Sequence, residues 1–395
     1  MAALVAVALA GCRGSQGSPA STARLTSPSP VVLNPADSKA ADLRTRLDLL
    51  LGEHVIVIAK ESSAAGSTDE YTSYLRLLTS NGNDLTELVR SALGDTAATR
   101  FDQIWSAQND YLVTYTIALL THDQGKADAA MSSLVGAFVP QFSQFFAAAT
   151  QIPLDPITQL ATEHVFETKA MLDDRVAQNY PKMFADLRLA YAQSSRIGDA
   201  LAPRIAQKFA DKFPGDAAAG AVDLRVSMND LMQEHVYLAT MATSAATGGR
   251  ATEQAAAVRA LADNGDTLGR LFSGLFGTTF RAQFDQIWAG KNTSMIAYAS
   301  ASTGPAKQNA LGRLNDAFVN QFSDFIQRAT GLASGTARVE VAAEMSATIT
   351  VIDDQRSRSL TAVGADDRSS ETSMVTVADL ISGAAIAKLR STFAP

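Results

Sequence analysis

Three polar side chains that could bind a metal ion lie on separate apolar segments of the chain: His54, Gln108 and His164. His54 continues an apolar row that includes Leu47 and Leu50, at intervals of three or four residues, which places it on the buried face of a helix. By the same spacing, Gln108 and His164 lie on the apolar faces of two further helices. Imidazole nitrogens bind copper and zinc, and an amide oxygen or a water molecule completes such a shell. The pattern therefore predicts a copper or zinc site where three helices direct these groups inward.

The same residues allow a second interpretation, a buried hydrogen-bond network that fixes how the helices pack. Buried polar groups are normally hydrogen-bonded, and a neutral imidazole donates from one nitrogen and accepts at the other. This is the more common role of a histidine on an apolar face. We assign five residues to such a buried network, four from the second half of the chain and one, Tyr115, from the first: His235, Lys291, Glu344, Tyr115 and Tyr298. A shift of one residue in the alignment would replace Glu344 with Met345.

Lys291 and Glu344 are the charged pair in this set. If both face the core, they should form an ion pair, because an unpaired buried charge is strongly destabilising. The alternative is that Lys291 buries only its aliphatic stem and extends the ammonium group to solvent.

Patterns typical of enzymes are missing. A di-iron site of the ferritin type needs Glu-x-x-His pairs, whereas Glu53-His54, Glu163-His164 and Glu234-His235 are adjacent and point about 100 degrees apart on a helix. On this basis we expect only the histidines to share the inward face. His-Glu-x-x-His, Gly-x-Ser-x-Gly, a phosphate-binding glycine loop and a cysteine nucleophile are also missing. The sequence therefore indicates a protein without enzymatic activity.

The elements that carry these residues occur twice. Phe101-Asp102-Gln103-Ile104-Trp105 recurs as Phe284-Asp285-Gln286-Ile287-Trp288, and the chain has no other tryptophan. Ala137-Phe138-Val139 likewise recurs as Ala317-Phe318-Val319. The chain is therefore a tandem duplication, with repeat 1 at 40–214, repeat 2 at 222–395 and a short connection at 215–221.

Both repeats are expected to be helical throughout. After the helix that carries His54, repeat 1 has helical patterns at Thr68–Leu93, Ala97–His122, Lys126–Thr150, Pro156–Gln178 and Pro181–Phe213. Prolines fall where helices should start or stop, and alternating strand patterns are missing. Long helices joined by short turns pack most simply side by side. We predict an all-α protein made of two tandem antiparallel helical bundles of five to six helices each.

The N-terminal sequence predicts where the protein is located. Leu9-Ala10-Gly11-Cys12 follows a short apolar run and resembles the signal of bacterial lipoproteins. The resemblance implies that 1–11 are removed and that Cys12 carries a diacylglyceryl group. Residues 12–39, rich in Gly, Ser and Pro, then form a flexible tether. Two acyl chains anchor a protein stably, so we expect an extracytoplasmic protein held at the membrane by this lipid.

The repeats also resemble tandem helical repeats of bacterial envelope proteins linked to stalk domains named after the N-terminal part of copper amine oxidase. The shared features are Glu53-His54, Trp105 with Gln108 and Tyr115, and Leu160 with His164. That family usually carries a histidine at the position held here by Gln108 and Lys291. The resemblance therefore does not by itself transfer a metal site to this chain, and it implies no established activity.

Composition excludes two further classes of function. The formal net charge is -7, and the Lys and Arg residues are scattered, so the chain has no basic stripe for nucleic acid. One cysteine can form neither an internal disulfide nor a zinc-thiolate cluster. We therefore expect a lipid-anchored envelope protein that binds a small ligand or a protein partner. The alternative is a copper- or zinc-binding protein that uses His54 and His164.

Overall fold

The computed structural model describes residues 34–301 and 304–393. Cys12 and the predictions made for 1–33 lie outside the described residues. The folded part begins earlier than the expected end of the tether at residue 39. Ala36 is 1% exposed and packs with Ala221 and Leu224 of repeat 2, and Ser38 caps the first helix by accepting a hydrogen bond from the amide of Ala41.

Helices account for 87% of the structure, and the described residues contain twelve helices and no strand. This confirms the predicted all-α class, with six helices in each repeat. Repeat 1 contains α1 (Lys39–Ser63), α2 (Thr68–Leu93), α3 (Asp95–Leu120), α4 (Gln124–Ser133, a π turn at Leu134–Phe138, then Val139–Thr150), α5 (Leu154–Val176) and α6 (Tyr180–Lys208). Repeat 2 contains α7 (Gly220–Thr247), α8 (Ala251–Phe276), α9 (Thr278–Ser300), α10 (Gly304–Gly312, a π turn at Arg313–Phe318, then Val319–Thr330), α11 (Ser334–Ser357) and α12 (Val363–Lys388). Nowhere in the described ranges does a helix combine the length and the apolar character needed to cross a membrane.

The turn between the second and third helix is the same in both repeats. Gly94 joins α2 to α3 with φ 90°, and Gly277 joins α8 to α9 with φ 92°. Residues with a side chain rarely adopt this backbone conformation. The conserved glycine therefore sets the angle at which the tryptophan-bearing helix returns.

A π turn interrupts the fourth helix of each repeat at the same place. It lies at Leu134–Phe138 in α4 and at Arg313–Phe318 in α10. Such a turn locally changes the direction of side chains within a helix. The ring of Phe138 lies 6.3 Å from that of Trp105, and the ring of Phe318 lies 6.0 Å from that of Trp288.

The two repeats share one core rather than forming separate bundles. From Asn34 onward the chain is one compact unit. Helix α1 packs along α7, while α6 packs on α8 and α2 packs on α12. In α1 every residue from Leu50 to Ser62 is buried, which is the pattern of a helix enclosed on all sides. The central helices therefore serve both repeats.

Reciprocal ion pairs join the repeats near the start of α1 and α7. Arg44 Nη1 donates to Asp223 Oδ1 at 2.6 Å, and Arg225 Nη1 donates to Asp42 Oδ1 at 2.6 Å. The two pairs connect matching positions of the repeats in opposite directions. The repeats are thus related by a pseudo-twofold arrangement.

Two buried glutamates form the centre of the contact between repeats. Glu53 accepts hydrogen bonds from Arg368 at 2.5 Å and from the hydroxyl of Tyr237 at 2.7 Å. At the matching position, Glu234 accepts from Arg188 at 2.9 Å. From the sequence we expected only the histidines, and not these glutamates, on the inward faces of the helices. They do point away from their own repeat's histidine, but into the other repeat, so they too are buried.

The contact between α2 and α12 requires a glycine. The amide of Gly364 donates to Ser73 Oγ at 2.9 Å, and a Cβ on Gly364 would lie 2.8 Å from the carbonyl oxygen of Ser73. We expect Gly364→Ala to lower the free energy of unfolding by about 1–3 kcal/mol, because backbone must move to admit the methyl group.

Gly290 provides the matched control, since a Cβ there meets nothing within 4 Å. Gly290→Ala should raise stability by about 0.5–1 kcal/mol through helix propensity alone. Urea unfolding of both variants measures the difference, and equal effects of the two substitutions would contradict the close packing of α2 against α12.

Candidate functional site

His54 lies in the middle of α1, completely buried, beside the indole of Trp105. The two ring centroids are 4.7 Å apart, and His54 is 0% exposed. Neither Nδ1 nor Nε2 of His54 has a hydrogen-bond partner, and Trp105 Nε1 has none either. A buried polar atom without a partner is unusual and calls for an explanation such as a bound ion or water molecule.

Gln108 and His164 contact each other beside this ring. Gln108 Nε2 and His164 Nε2 are 2.7 Å apart, and Ser194 Oγ lies 3.4 Å from His164 Nδ1. If the amide nitrogen of Gln108 donates to Nε2, the proton of His164 is on Nδ1 and faces Ser194. The Ser194 hydroxyl can accept that proton's hydrogen bond, because its own hydrogen is donated to the carbonyl of Ala190 and its oxygen keeps a free lone pair. Gln108 Oε1 has no partner.

The three residues predicted from the sequence therefore do converge, and we call them the histidine cluster. The ring centroids of His54 and His164 are 5.6 Å apart. Two imidazoles on one zinc or copper ion, with metal-nitrogen distances of about 2.0–2.1 Å, have centroids about 5–6 Å apart. The described residues contain no set of three His, Cys, Asp or Glu side chains that could hold a metal ion. A third ligand would have to be Gln108 Oε1 or water.

Burial keeps both imidazoles of the cluster neutral. It lowers the pKa of His164 to about 4, and it lowers the pKa of His54 well below the usual value, with a further contribution from the neighbouring His164. The neutral imidazole is the form that binds metals. At neutral pH the cluster therefore offers lone pairs rather than positive charge.

Repeat 2 places different chemistry at the matching positions. Lys291 takes the position of Gln108, Glu344 takes that of His164, and Lys291 Nζ lies 3.1 Å from Glu344 Oε1 with both side chains buried. The ammonium group also lies 4.7 Å from the centroid of the Trp288 ring. The ion pair expected from the sequence is thus present, and an ammonium group stands where repeat 1 has a neutral amide.

His235 contacts Asn264 and Trp288 and forms no hydrogen bond with the Lys291–Glu344 ion pair. Its Nδ1 lies 3.2 Å from Asn264 Oδ1 and 3.1 Å from Trp288 Nε1. Only one of these contacts is a hydrogen bond at a time, because the first needs a proton on Nδ1 and the second needs a lone pair there. His235 therefore forms a small separate group.

Tyr115 and Tyr298, placed in the buried polar network from the sequence, lie outside both groups. The hydroxyl of Tyr115 donates to Asp173 Oδ1 at 2.6 Å, and that of Tyr298 donates to Asp353 Oδ1 at 2.9 Å. The reason is distance along the helix, since each tyrosine lies seven residues, about two turns, beyond the position of Gln108 or Lys291. These contacts account for the recurrence of the two aspartates.

A groove between α8 and α9 is the second candidate site, and the sequence did not indicate it. It has a volume of about 740 Å³ and is lined mainly by apolar residues, with the indole of Trp288 at its base. Four alanines and a glycine on the facing sides of the two helices leave the space between them open. Its larger apolar members are Val258, Leu261 and Ile296.

The groove residues differ between the repeats, although both keep the tryptophan. At three lining positions, α8 carries a smaller side chain than α2 has at the matching position. The pairs are Gln254 for Tyr71, Val258 for Leu75 and Ala262 for Thr79. The side chains of repeat 2 are thus smaller at all three positions, which leaves more room at this place.

The buried ion pair of repeat 2 generates a prediction. Lys291→Met leaves the carboxylate of Glu344 buried without its cation, which should lower the free energy of unfolding by about 3–5 kcal/mol. Lys291→Met combined with Glu344→Gln should recover a substantial part of that loss. Urea unfolding of the two single variants and the double variant gives the coupling energy, expected to be at least about 1 kcal/mol; strict additivity would rule the pairing out.

Similarity to known proteins does not identify either site. Comparison with protein-family models, with curated proteins and with solved structures finds no match to this chain. The geometry of the histidine cluster and of the α8–α9 groove therefore carries the functional inference.

Proposed function

We propose that this chain is a binding protein without enzymatic activity, anchored outside the cell membrane by lipid on Cys12, whose ligand occupies the α8–α9 groove. The observation that carries the proposal is the groove itself. Its volume of about 740 Å³ falls in the range of about 300–1,000 Å³ in which proteins hold small molecules.

The lining favours an apolar ligand. Aliphatic and aromatic contact area comes from Val258, Leu261, Ile296 and the indole of Trp288, and four alanines extend this apolar surface. Charged groups at the rim already have partners. The carboxylate of Asp266, for example, is held by Arg270 and Arg281. A strongly charged ligand would therefore have to compete with existing ion pairs.

The lining also supports a role in binding rather than in catalysis. The residues that line the groove include no His, Cys, Ser, Lys or Tyr, and its two acidic residues, Asp266 and Asp285, are both paired with Arg281. Nucleophilic and acid-base catalysis both rely on such groups within hydrogen-bond reach of the bound molecule. The buried His235 is separated from the groove by Trp288, whose ring lies 4.4 Å from that of the histidine.

Filling the groove tests this proposal. Ala262→Phe places a ring in the groove, so it should weaken binding of a small uncharged aromatic probe, N-phenyl-1-naphthylamine, at least about tenfold. The matched control is Thr79→Phe at the corresponding position of repeat 1. Fluorescence titration of the wild type and both variants measures the dissociation constants. Equal affinities in all three proteins, or no binding by the wild type, would contradict the proposal.

A second candidate function, metal binding by repeat 1, is favoured by one observation: both ring nitrogens of His54 are buried without a partner. Copper or zinc bound by His54 and His164, with Gln108 Oε1 or water, would satisfy them. The separation of the two rings and their neutral state support this assignment. Repeat 2 supplies a lysine ammonium group at the position of Gln108 and is not proposed to bind metal.

Metal titration of protein without tag histidines decides between this function and a structural role. We expect near-stoichiometric binding of copper or zinc with a rise in melting temperature, lost in the His54→Ala, His164→Ala double variant. His235→Ala is the matched control, because that histidine is equally buried but already contacts Asn264 and Trp288. Binding that persists in the double variant, or that the wild type never shows, would make the histidines structural.

A further inference from the structure

A pair of aspartates meets where the two repeats join, away from both sites described above. Asp48 on α1 is 0% exposed, and neither of its carboxylate oxygens has a hydrogen-bond donor. The nearest cation is Arg44, whose Nε lies 4.0 Å from Asp48 Oδ2. Arg44 directs its donors to other acceptors, among them Asp199 and Asp223.

The second aspartate comes from the other repeat. Asp230 on α7 is half-buried, and its Oδ1 is enclosed without a partner. Asp199 on α6 accepts from Arg44 at 2.8 Å and adds a further negative charge that acts on Asp48. Buried carboxyl groups without donors resist ionisation, because a charged carboxylate there would be desolvated and would be repelled by its negative neighbours. We call the two carboxyl groups with unpartnered oxygens, Asp48 and Asp230, the carboxyl joint.

The groups that face the joint come from four helices. They are Arg44 on α1, Tyr191 and Asp199 on α6, and Asp223 and Glu234 on α7, with Glu371 on α12 acting on Tyr191. The cation of Arg44 is the one positive charge among these facing groups, and it is divided between Asp199 and Asp223. The surroundings of the joint therefore favour carboxyl groups that keep a proton.

The matching place on the other side of the pseudo-twofold arrangement is built differently. Asn229 stands there in place of Asp48 and donates to Asp379 Oδ1 at 2.8 Å and to the carbonyl of Arg225 at 2.9 Å. The position that matches Asp230 is Leu49. At these two positions that side thus carries a neutral amide, whose nitrogen donates twice, and an apolar residue instead of two carboxyl groups.

A glycine makes room for Asp48. A Cβ on Gly198 of α6 would lie 1.6 Å from Asp48 Oδ1, and the matching residue on the other side is Ala378. The close approach of α6 to this carboxyl group is therefore specific to one side of the molecule. The carboxyl group of Asp48 and the glycine that makes room for it therefore occur on the same side of the molecule.

We propose that the carboxyl joint is a proton-binding device that couples acidity to the packing of the two repeats. Protonated, it lets α1, α6 and α7 pack closely. Ionised, it repels across the contact and loosens it. No bound metal is required, because protons take the place of the missing hydrogen-bond donors.

The direction of the effect follows from the environment. Burial, then the charge of Asp230, raises the pKa of Asp48 well above its usual value, and burial raises the pKa of Asp230 to about 7. In the unfolded chain both titrate near pH 4. Their stabilising contribution is therefore fully present below about pH 4 and is lost as the pH rises through about 7.

Urea unfolding of the full chain between pH 5 and pH 7 tests the proposal. The equilibrium constant for unfolding of the wild type, divided by that of Asp48→Asn, should rise by up to about tenfold per pH unit. Using this ratio cancels the opposite contribution of the buried histidines, which is common to both proteins. A ratio that stays constant with pH would overturn the proposal.

Asn229→Asp supplies the converse variant, since it introduces a carboxyl group beside Asp379 on the other side. Its unfolding constant relative to the wild type should rise with pH, opposite to the behaviour of Asp48→Asn. Hydrogen exchange of 44–52 and 226–234, corrected for intrinsic rates, should accelerate with pH in the wild type more than in Asp48→Asn. Equal acceleration would overturn the loosening of the contact.

Asp230→Asn gives a second measurement should Asp48→Asn fail to fold. In the infrared spectrum at pH 6, the C=O band of protonated carboxyl groups should be larger in the wild type than in Asp230→Asn, which keeps Glu61 and Glu371, whose pKa burial also raises to about 7. A band of equal size in the two proteins would overturn the proposal.

Discussion

Helices α1 and α7 are enclosed on almost every side, so the polar side chains that they carry have to find partners inside the protein or remain neutral. This constraint explains why Glu53 and Glu234 reach arginines of the opposite repeat, Arg368 and Arg188. It also explains why the imidazole of His54 is neutral. The ion pairs, the histidine cluster and the carboxyl joint are different solutions to the same problem of burying polar groups on a central helix.

Most of the helices could be predicted from the sequence, because periodicity and helix-ending residues are local signals. Thr68–Leu93 was predicted and is observed with the same ends, and the glycine that follows explains where it stops. The shared core could not be predicted in the same way. Periodicity indicates which face of a helix is buried, but not whether the opposite face meets water or another repeat. Glu53 is the clearest case, since its side chain points away from His54 and is still buried.

The histidine cluster was predictable because its members occupy the apolar faces of three neighbouring helices in one bundle. The α8–α9 groove was not, since it is defined by what is small rather than by what is chemically distinctive. Ala255, Ala262 and Ala289 are exposed residues of a kind that carries no periodic signal. A comparison of the two repeats, in which Ala262 and Val258 match the larger Thr79 and Leu75, is the signal that could have drawn attention to it.

The reciprocal arginine contacts have the geometry of an isologous interface, in which each partner presents the same surface to the other. A chain with a single repeat would make these contacts with a second copy of itself. In such a homodimer every residue near the axis appears twice, so an aspartate opposite a glycine on one side requires the same pair on the other. Covalent linkage of the two copies removes that requirement. The chain can therefore hold Asp48 against Gly198 on one side and Asn229 against Ala378 on the other, an asymmetry that identical subunits could not encode.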